Sequence, residues 1–288
     1  MQAWEEWLVT NDVTQSALAI TKDGILLSDH GRGMQADDAV PLASLSKAVT
    51  GACVLALQDE GLLEVSDTLD TVFAATPDRV GQGGDITIDA LLTHTSGLDF
   101  DRTQTVLNPS LWGASDMHDQ IADLALARPL GAAEFFYNNE NYAVLGSVIM
   151  QVTGQSVAEA CAPRVLAGQP TAAPDRRTGG GLAYGGWSMS VEDYAAFTAT
   201  LAPDDDWPGA PVGGGAYYGP GVLVRDMQNG TNLWHFGGFC LMGLGDYGSY
   251  FYVLENGWGV VVWYDICASG AQAVALDNAL ARAAYSGE

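Results

Sequence analysis

The chain has 288 residues, of which 48% are hydrophobic and 16% charged, a balance that allows one large domain or two small ones with a sizeable core. It carries 35 Asp and Glu against 11 Lys and Arg, for a formal net charge of −24, so nucleic acid and anionic membrane surfaces would repel it. The acidic residues are spread along the chain, which indicates a solvated surface, such as that of a protein from a saline host, and not a disordered acidic tail.

Cysteine spacing and the opening segment bear on cofactors and compartment. No CxxC pair or Cys/His ligand spacing occurs among the four cysteines, so a zinc site is not expected; they are Cys53, Cys161, Cys240 and Cys267. We expect free buried thiols in a reducing compartment. The first residues lack a basic segment before an apolar run, and no stretch approaches the roughly 18 apolar residues that span a bilayer. The expected location is cytoplasmic, or periplasmic if a leader has been removed, and no metal or organic cofactor is expected.

Two apolar runs near the N-terminus predict the first strands. In SALAITKDGILLSD, residues 16–29, the runs meet at Asp23-Gly24, and Asp-Gly between such runs is a hairpin signal. From Ser44 the apolar residues recur at helical spacing as far as Gly61, which is placed to end a helix. Ser44 is therefore expected to open a helix that runs into the core.

Helical patterns dominate the middle of the chain. Gly/Pro-rich segments too short to define a domain boundary separate them, and the patterns lie near 86–93, 116–128, 141–152 and 190–201. Strand character returns over 248–265, where Asn256-Gly257 predicts a second hairpin. Residues 270–287 then close the chain as a helix.

Strands at both ends with helices between them predict the fold class. We expect an α/β (α+β) protein with one antiparallel sheet assembled from about 1–43 and 205–288, flanked by helices. A mainly helical region over about 44–204 is inserted between the two parts of the sheet. The whole of 1–288 is expected to form a single catalytic unit.

A serine and a lysine lie three residues apart at the start of the predicted helix. Ser44 and Lys47 would therefore share one helix face, where the amine can reach the hydroxyl. Lys47 is one of only two lysines in the chain. Serine is a poor nucleophile without a neighbouring base, and burial lowers a lysine pKa enough to leave a neutral amine. The pair predicts an activated nucleophile, although Ser-x-x-Lys alone is a weak signal.

Two further motifs follow in order, and together they carry a family resemblance. Tyr137 and Asn139 precede a helical run, and His235-Phe236-Gly237 leads into the last strands. With Ser44-x-x-Lys47, this order resembles that of the serine β-lactamase-like hydrolases, which include class C β-lactamases, D-Ala-D-Ala and D-amino-acid peptidases and family VIII carboxylesterases. The segments LLTHTSGL and GGWSMSVEDYAAFTATL are also similar to that family, so the resemblance covers nearly the whole chain.

The resemblance implies a role for each motif residue. Ser44 would attack the carbonyl, Lys47 and Tyr137 would share acid and base work in an order left open, and Asn139 would orient Lys47 or the substrate. The backbone N–H groups of Ser44 and Gly238 would form the oxyanion hole. Each residue also has a structural alternative, in which Tyr137 is a core aromatic, Asn139 a helix cap and the glycines a close strand approach.

The third motif departs from the family's Lys-Thr-Gly. His235 is mostly neutral at pH 7 unless its pKa is perturbed, so the site lacks a cation and a hydroxyl for an anionic substrate. Phe236 would make the pocket edge apolar and, with Gly237, would bind substrate. Other aromatic residues could line the cleft or belong to the core; they are Trp112, Tyr184, Trp187, Tyr217, Tyr218 and Trp234. His94 is interpreted as part of a structural loop.

A serine hydrolase that forms an acyl-enzyme on Ser44 is the function these residues indicate, and a carboxylesterase for short-chain esters is the first expectation. An amidase or D-amino-acid peptidase, or a weak β-lactamase, is the alternative within the enzyme class. A binding or sensor protein that is acylated with little turnover is the alternative outside it. The partner expected is a small-molecule ester or amide, and the oligomeric state is open.

Overall fold

Strands occupy the two ends of the chain, and helices fill most of the middle. The computed structural model describes residues 1–104, 113, 115–203, 206–241 and 245–286. The helices are α1 (Gln2–Thr10), α2 (Ser46–Asp59), α3 (Leu69–Val72), α4 (Ile88–Leu92), α5 (His118–Leu126), α6 (Asn139–Thr153), α7 (Val157–Val165), α8 (Leu182–Gly185), α9 (Val191–Thr198) and α10 (Gly270–Ser286). The strands are β1 (Ser16–Lys22), β2 (Ile25–Arg32), β3 (Val40–Pro41), β4 (Ala173–Pro174), β5 (Trp187–Met189), β6 (Ala210–Gly213), β7 (Ala216–Tyr218), β8 (Leu223–Met227), β9 (Gly230–Phe239), β10 (Tyr247–Val253) and β11 (Trp258–Tyr264).

The large sheet joins the two ends of the chain, as the sequence predicts. Its eight strands run in the order β2-β1-β11-β10-β9-β8-β7-β6, and every neighbouring pair is antiparallel. The N-terminal hairpin and the C-terminal strands meet where β1 pairs with β11, with Ser16 opposite Tyr264. A second, smaller sheet has the order β3-β5-β4. The predicted mixed fold with one main antiparallel sheet is confirmed.

The large sheet buries both of its faces. Successive strand residues point to opposite faces, so Phe251 of β10 joins the core shared with the helical region, whereas Tyr250 faces a second core. That second core is closed by α1 and α10, through residues such as Trp4 and Leu276. Helix α1 was not predicted, although Trp4, Trp7 and Leu8 are buried at helical spacing. The sheet is therefore a middle layer between helices.

Both predicted hairpins form. Asp23 and Gly24 join β1 to β2 with φ angles of 50° and 77°, values that Gly and Asp adopt more readily than most residues. The turn between β10 and β11 includes Gly257, whose φ is 84°. The two turns lie side by side, because the amine of Lys22 donates to the carbonyl oxygen of Asn256.

The helix that carries the Ser-x-x-Lys motif begins two residues later than predicted. Ala43 has a φ of 48°, a left-handed conformation that is incompatible with an α-helix. Ser44 consequently lies in a short 3₁₀ turn over Ala43–Leu45, and α2 begins at Ser46. The helix ends where predicted, with Gly61 at φ 70° just beyond it. The candidate nucleophile therefore sits at a sharp bend in front of a buried helix.

The other predicted helices form within or near their predicted ranges. Helices α4, α5, α6 and α9 correspond to the four patterns of the middle region, and α10 to the closing segment. Helix α6 begins at Asn139 because the side chain of Asn138 caps it, accepting from the N–H of Glu140. Within the residues that the structure describes, no helix is long and apolar enough to cross a membrane.

All four cysteines form disulfides, so the prediction of free thiols is wrong. Cys53 of α2 is bonded to Cys161 of α7, 108 residues away, and Cys240 is bonded to Cys267. The Cα atoms are 5.3 and 5.2 Å apart, within the usual range for a disulfide. Packing of helices that are distant in sequence creates the first pair, which residue spacing could not reveal.

Candidate active site

Ser44 lies between the large sheet and the helical region. The residue before it, Ala43, packs against β9, since a Cβ built on Gly237 would lie 3.2 Å from the Ala43 Cβ. The side chain of Ser249 on the neighbouring strand donates to the Leu42 carbonyl at 2.6 Å. These contacts hold the bend at Ala43 and place Ser44, which is half-buried, where strand β9 packs against the 3₁₀ turn that precedes α2.

Lys47 is fully buried one turn along from Ser44 and contacts three oxygen atoms. Its Nζ lies 3.1 Å from Ser44 Oγ, 2.6 Å from Asn139 Oδ1 and 2.9 Å from the Tyr184 carbonyl oxygen. Desolvation lowers the pKa of Lys47 from 10.5 to about 7, against the opposing effect of the Asp101 charge. A substantial fraction of Lys47 is thus a neutral amine near neutral pH.

The contacts of Lys47 direct its lone pair. A neutral amine has two N–H groups and one lone pair, and two carbonyl oxygens, those of Asn139 and Tyr184, can only accept. When both accept from Lys47, the lone pair is left for the remaining neighbour, the Ser44 hydroxyl. The geometry suits removal of the Ser44 proton by Lys47.

Tyr137 also contacts Ser44 and keeps its proton at neutral pH. Its hydroxyl is hydrogen-bonded to Ser44, and desolvation raises its pKa well above the ordinary value. Its ring lies 4.9 Å from Lys47 Nζ, and 38% of the residue's surface is exposed. A hydroxyl that contacts the nucleophile and stays protonated at neutral pH can act as a general acid.

His235 is buried in β9 and carries no charge. Its Nδ1 lies 2.7 Å from the carbonyl oxygen of Phe236, and its Nε2 lies 3.1 Å from the hydroxyl of Tyr218. Because the carbonyl only accepts, Nδ1 carries the proton and Nε2 accepts from Tyr218. Burial, with a smaller effect of the Lys47 charge, lowers the pKa of His235 to about 3. This position therefore supplies no cation at neutral pH.

The glycines of the third motif differ in their surroundings. A Cβ on Gly237 would lie 2.2 Å from Ser249 Oγ and 2.7 Å from the Leu42 carbonyl oxygen, so only glycine fits there. A Cβ on Gly238 would meet nothing within 4 Å, and this residue is exposed. Gly237 thus allows β9 to approach Ser44 closely, and Gly238 follows on the open side of the strand.

Phe236 and Trp234 do not reach this site. They alternate with His235 along β9, so they point to the opposite face of the sheet and pack on the second core. Phe236 stacks on Tyr250 with ring centroids 4.5 Å apart. The expectation that these two side chains line the cleft is therefore not met. Trp112, also expected there, lies outside the described residues.

His94, interpreted from the sequence as part of a structural loop, is buried beside Tyr137. Its Nδ1 accepts from the backbone N–H of Asn138 at 3.3 Å, and its ring lies 4.6 Å from the ring of Tyr137. Burial lowers the pKa of His94 well below its ordinary value. The uncharged ring of His94 packs against the ring of Tyr137.

Three contributors escaped prediction as site residues. The Tyr184 carbonyl is a backbone group with no sequence signal. Tyr218 was noted only among the aromatic residues, and its hydrogen bond to His235 depends on the pairing of β7, β8 and β9. Asp101 raises the pKa of Lys47 and lies in a loop just beyond the HTSGL segment. The resemblance of that segment to the family was the only signal in the sequence that this loop lies near the site.

A known protein family matches this chain in sequence along nearly its full length. The sequence model of the Beta-lactamase family matches residues 8–284. The chain belongs to the beta-lactamase family. Among curated members, Protein flp of Staphylococcus aureus (strain NCTC 8325 / PS 47) is 33% identical over 166 residues, which are 53% of this chain and 32% of that protein. The chain thus spans about a third of the length of the curated relatives that it matches.

Solved structures share the fold of this beta-lactamase family chain. The D-amino acid amidase of Ochrobactrum anthropi SV3, in complex with L-phenylalanine, has a TM-score of 0.78 at 16% identity and covers 99% of both chains. The Beta-Lactamase/D-Alanine Carboxypeptidase of Pseudomonas syringae has a TM-score of 0.76 at 16% identity, covering 98% of this chain and 97% of its own. Among the described residues, no group of three His, Cys, Asp or Glu side chains could hold a metal ion.

Proposed function

We propose that this member of the beta-lactamase family is a serine hydrolase that forms an acyl-enzyme on Ser44 with neutral carboxylic esters of short acyl chains. The observation that carries the proposal is the lone pair of a partly neutral Lys47, directed at Ser44 Oγ from 3.1 Å. A nucleophile and a base within hydrogen-bond distance, the base itself oriented by further groups, are the requirements for acyl transfer.

In the acylation step, Lys47 takes the Ser44 proton while Oγ forms a bond to the substrate carbonyl carbon. The carbonyl oxygen becomes an oxyanion, which the backbone N–H groups of Ser44 and Gly238 stabilise. When the intermediate collapses, the bond to the leaving group breaks, and that group takes a proton from Tyr137. The Lys47 ammonium restores the Tyr137 proton. Water then attacks the acyl-enzyme by the same route, releasing the acid and Ser44.

The preference for neutral substrates rests on charge. His235 is uncharged because of its low pKa, and Tyr218 and the Phe236 carbonyl occupy both of its nitrogens. Asp101 adds a negative charge close enough to affect Lys47, within a protein of net charge −24. An anionic substrate would meet neither a cation nor a free donor at His235.

Cleavage of small amides is the second candidate. Tyr137 is protonated and hydrogen-bonded to Ser44, so a proton donor stands beside the nucleophile. An amine is a poorer leaving group than an alcohol and depends more on such a donor. The fold shared with a D-amino acid amidase is consistent with this activity.

The disulfides suggest where the enzyme works. Bonds between cysteines form and persist in oxidising compartments, and both pairs are present here. We therefore propose that the enzyme works in a compartment outside the reducing cytosol, and not in the cytoplasm as first expected.

Initial rates on p-nitrophenyl butyrate and on nitrocefin, at low and high salt, test the proposal. Ester turnover that falls by about 10³-fold or more in Ser44→Ala, with an acyl adduct on Ser44 by mass spectrometry, is the expected result. A D-amino acid p-nitroanilide tests the amidase alternative, and Tyr137→Phe should impair it more than the ester. Nitrocefin turnover at comparable efficiency would contradict the substrate argument. One stoichiometric burst without further turnover would indicate an acylatable binding protein.

A further inference from the structure

A loop over residues 97–104 covers the first turn of α6, next to Lys47. The side-chain amide of Asn138 donates to the carbonyl oxygens of Leu98 at 2.9 Å and of Phe100 at 2.8 Å. The backbone N–H of Arg102 donates to Glu140 at 3.0 Å, and Glu140 is buried and paired with Arg128. The loop is thus fixed on both sides of Asp101.

Within this loop, a chain of hydrogen bonds leads from Asp101 to Lys47. The Thr103 hydroxyl donates to Asp101 Oδ1 at 2.6 Å and accepts from Asn139 Nδ2 at 2.9 Å. Asp101 Oδ2 accepts from the backbone N–H of Asn139 at 2.9 Å. Asn139 Oδ1 then accepts from Lys47 at 2.6 Å. Thr103 and Asn139 are both buried, so water competes little for these bonds.

The hydrogen bonds between Lys47 and Asp101 can be donated in only one direction, from Lys47 toward Asp101. A carboxylate is an acceptor, so the Thr103 hydroxyl must donate to Asp101 and offers its lone pair to Asn139. The Asn139 amide therefore turns its NH₂ group to Thr103 and its oxygen to Lys47. In the opposite orientation, the amide would donate to the lone pair of Lys47 and compete with Ser44 for it.

We propose that Asp101 and Thr103 are positioning residues of the Ser44 hydrolase, which hold the Asn139 amide so that its oxygen faces Lys47 and the Lys47 lone pair faces Ser44. This inference rests on the proposed function, in which Lys47 is the base. Both residues hydrogen-bond to Asn139, and Asn139 in turn contacts Lys47, so Asn139 carries their positioning effect.

Charge adds a second effect of Asp101. Its carboxylate raises the pKa of Lys47 against the larger lowering by desolvation. Removing the negative charge disfavours the ammonium form, so Asp101→Asn should lower the pKa of Lys47. The acid limb of the pH–rate profile, where Lys47 loses its proton, then moves to lower pH.

Four variants separate these effects in ester hydrolysis. Thr103→Val removes the hydroxyl at nearly constant volume and should lower kcat by about 10- to 100-fold, whereas Thr103→Ser should restore it to within about twofold. Asp101→Asn should lower kcat and shift the acid limb down by about one pH unit. Asp99→Asn is the matched control, since Asp99 is an exposed carboxylate of the same loop, and its profile should coincide with wild type.

The protonation of Lys47 can also be measured without any activity. Lys22 is the only other lysine, so protein labelled with [¹³Cε]lysine should give two side-chain NMR signals, which Lys22→Arg assigns. We expect the Lys47 signal to titrate near pH 7 in wild type and at lower pH in Asp101→Asn. Circular dichroism of each variant confirms that it is folded.

The outcomes distinguish the two proposals. If wild type shows Ser44-dependent turnover, but Thr103→Val matches Thr103→Ser and Asp101→Asn titrates as wild type, the positioning role is overturned and the hydrolase stands. If wild type shows no Ser44-dependent turnover, the proposed function fails. An unchanged titration in Asp101→Asn would then also refute any action of Asp101 on Lys47, and a downward shift would support it.

Discussion

Replacing Lys47 by methionine should change how the stability of the protein depends on pH. In the folded state the pKa of Lys47 is lowered to about 7, and its ordinary value is 10.5. Between these values the unfolded chain binds a proton that the folded protein does not. Stability therefore rises with pH across this window, because the unfolded state binds more protons. A methionine side chain would fill similar space without this linkage.

The size of the effect follows from the two pKa values. Lowering the pKa of Lys47 from 10.5 to about 7 corresponds to about 5 kcal/mol of lost folding free energy when the amine is charged. The full penalty is present below pH 7 and disappears above pH 10.5. Between pH 6 and pH 9, the free energy of unfolding of wild type should rise by about 3 kcal/mol relative to Lys47→Met.

Urea unfolding of both proteins at pH 6, 7.5 and 9, with the disulfides intact, measures this difference. Other titrating groups are common to the two proteins. The Lys47 charge also lowers the pKa of His94 and His235, but burial is the larger cause for both, so their contributions largely cancel in the comparison. Lost hydrogen bonds to Asn139 and Tyr184 offset the two curves by a constant amount without changing the slope. Parallel curves over the whole range would refute the conclusion that burial makes Lys47 a neutral base.

Three further predictions follow from the site and its supports. Ester hydrolysis should rise with pH through a midpoint near 7, because Lys47 must lose its proton to act as a base; a kcat/KM profile from pH 5 to 9 measures it. Replacing both Cys53 and Cys161 by Ala should lower the free energy of unfolding by about 4.8 kcal/mol, the loop entropy for a separation of 108 residues, as denaturant unfolding would show. Gly237→Ala should abolish turnover, since its Cβ would lie 2.2 Å from Ser249 Oγ and push β9 away from the nucleophile.

Each of these predictions has a control. A profile that is flat between pH 5 and 9 would exclude Lys47 as the titrating base. Reduction of a Cys240→Ala/Cys267→Ala variant, which keeps only the Cys53–Cys161 bond, should lower the free energy of unfolding by about the same amount. Equal stability of that variant with and without reductant would contradict the loop-entropy argument. Gly238→Ala meets no atom within 4 Å and should keep the wild-type melting temperature; Gly237→Ala activity equal to wild type would refute the steric argument.

Local patterns in the sequence were enough to predict the fold class, the hairpins and most of the helices. These features depend on a period of two or 3.6 residues, and on glycines such as Gly61 and Gly257 where φ must be positive. The family resemblance then identified Ser44, Lys47, Tyr137 and Asn139, which the structure brings together within hydrogen-bond or ring contact. Their roles as catalytic residues stay predictions.

The surroundings of these residues depend on long-range packing. Alternation along β9 separates His235 from Phe236, but packing on α1 and α10 decides which of them faces Ser44. Likewise, Cys53 meets Cys161 across 108 residues, and Asp101 reaches Lys47 through the side chains of Thr103 and Asn139. Such contacts arise when elements distant in sequence pack, and their burial, which sets the pKa of Lys47, exists only in the folded chain.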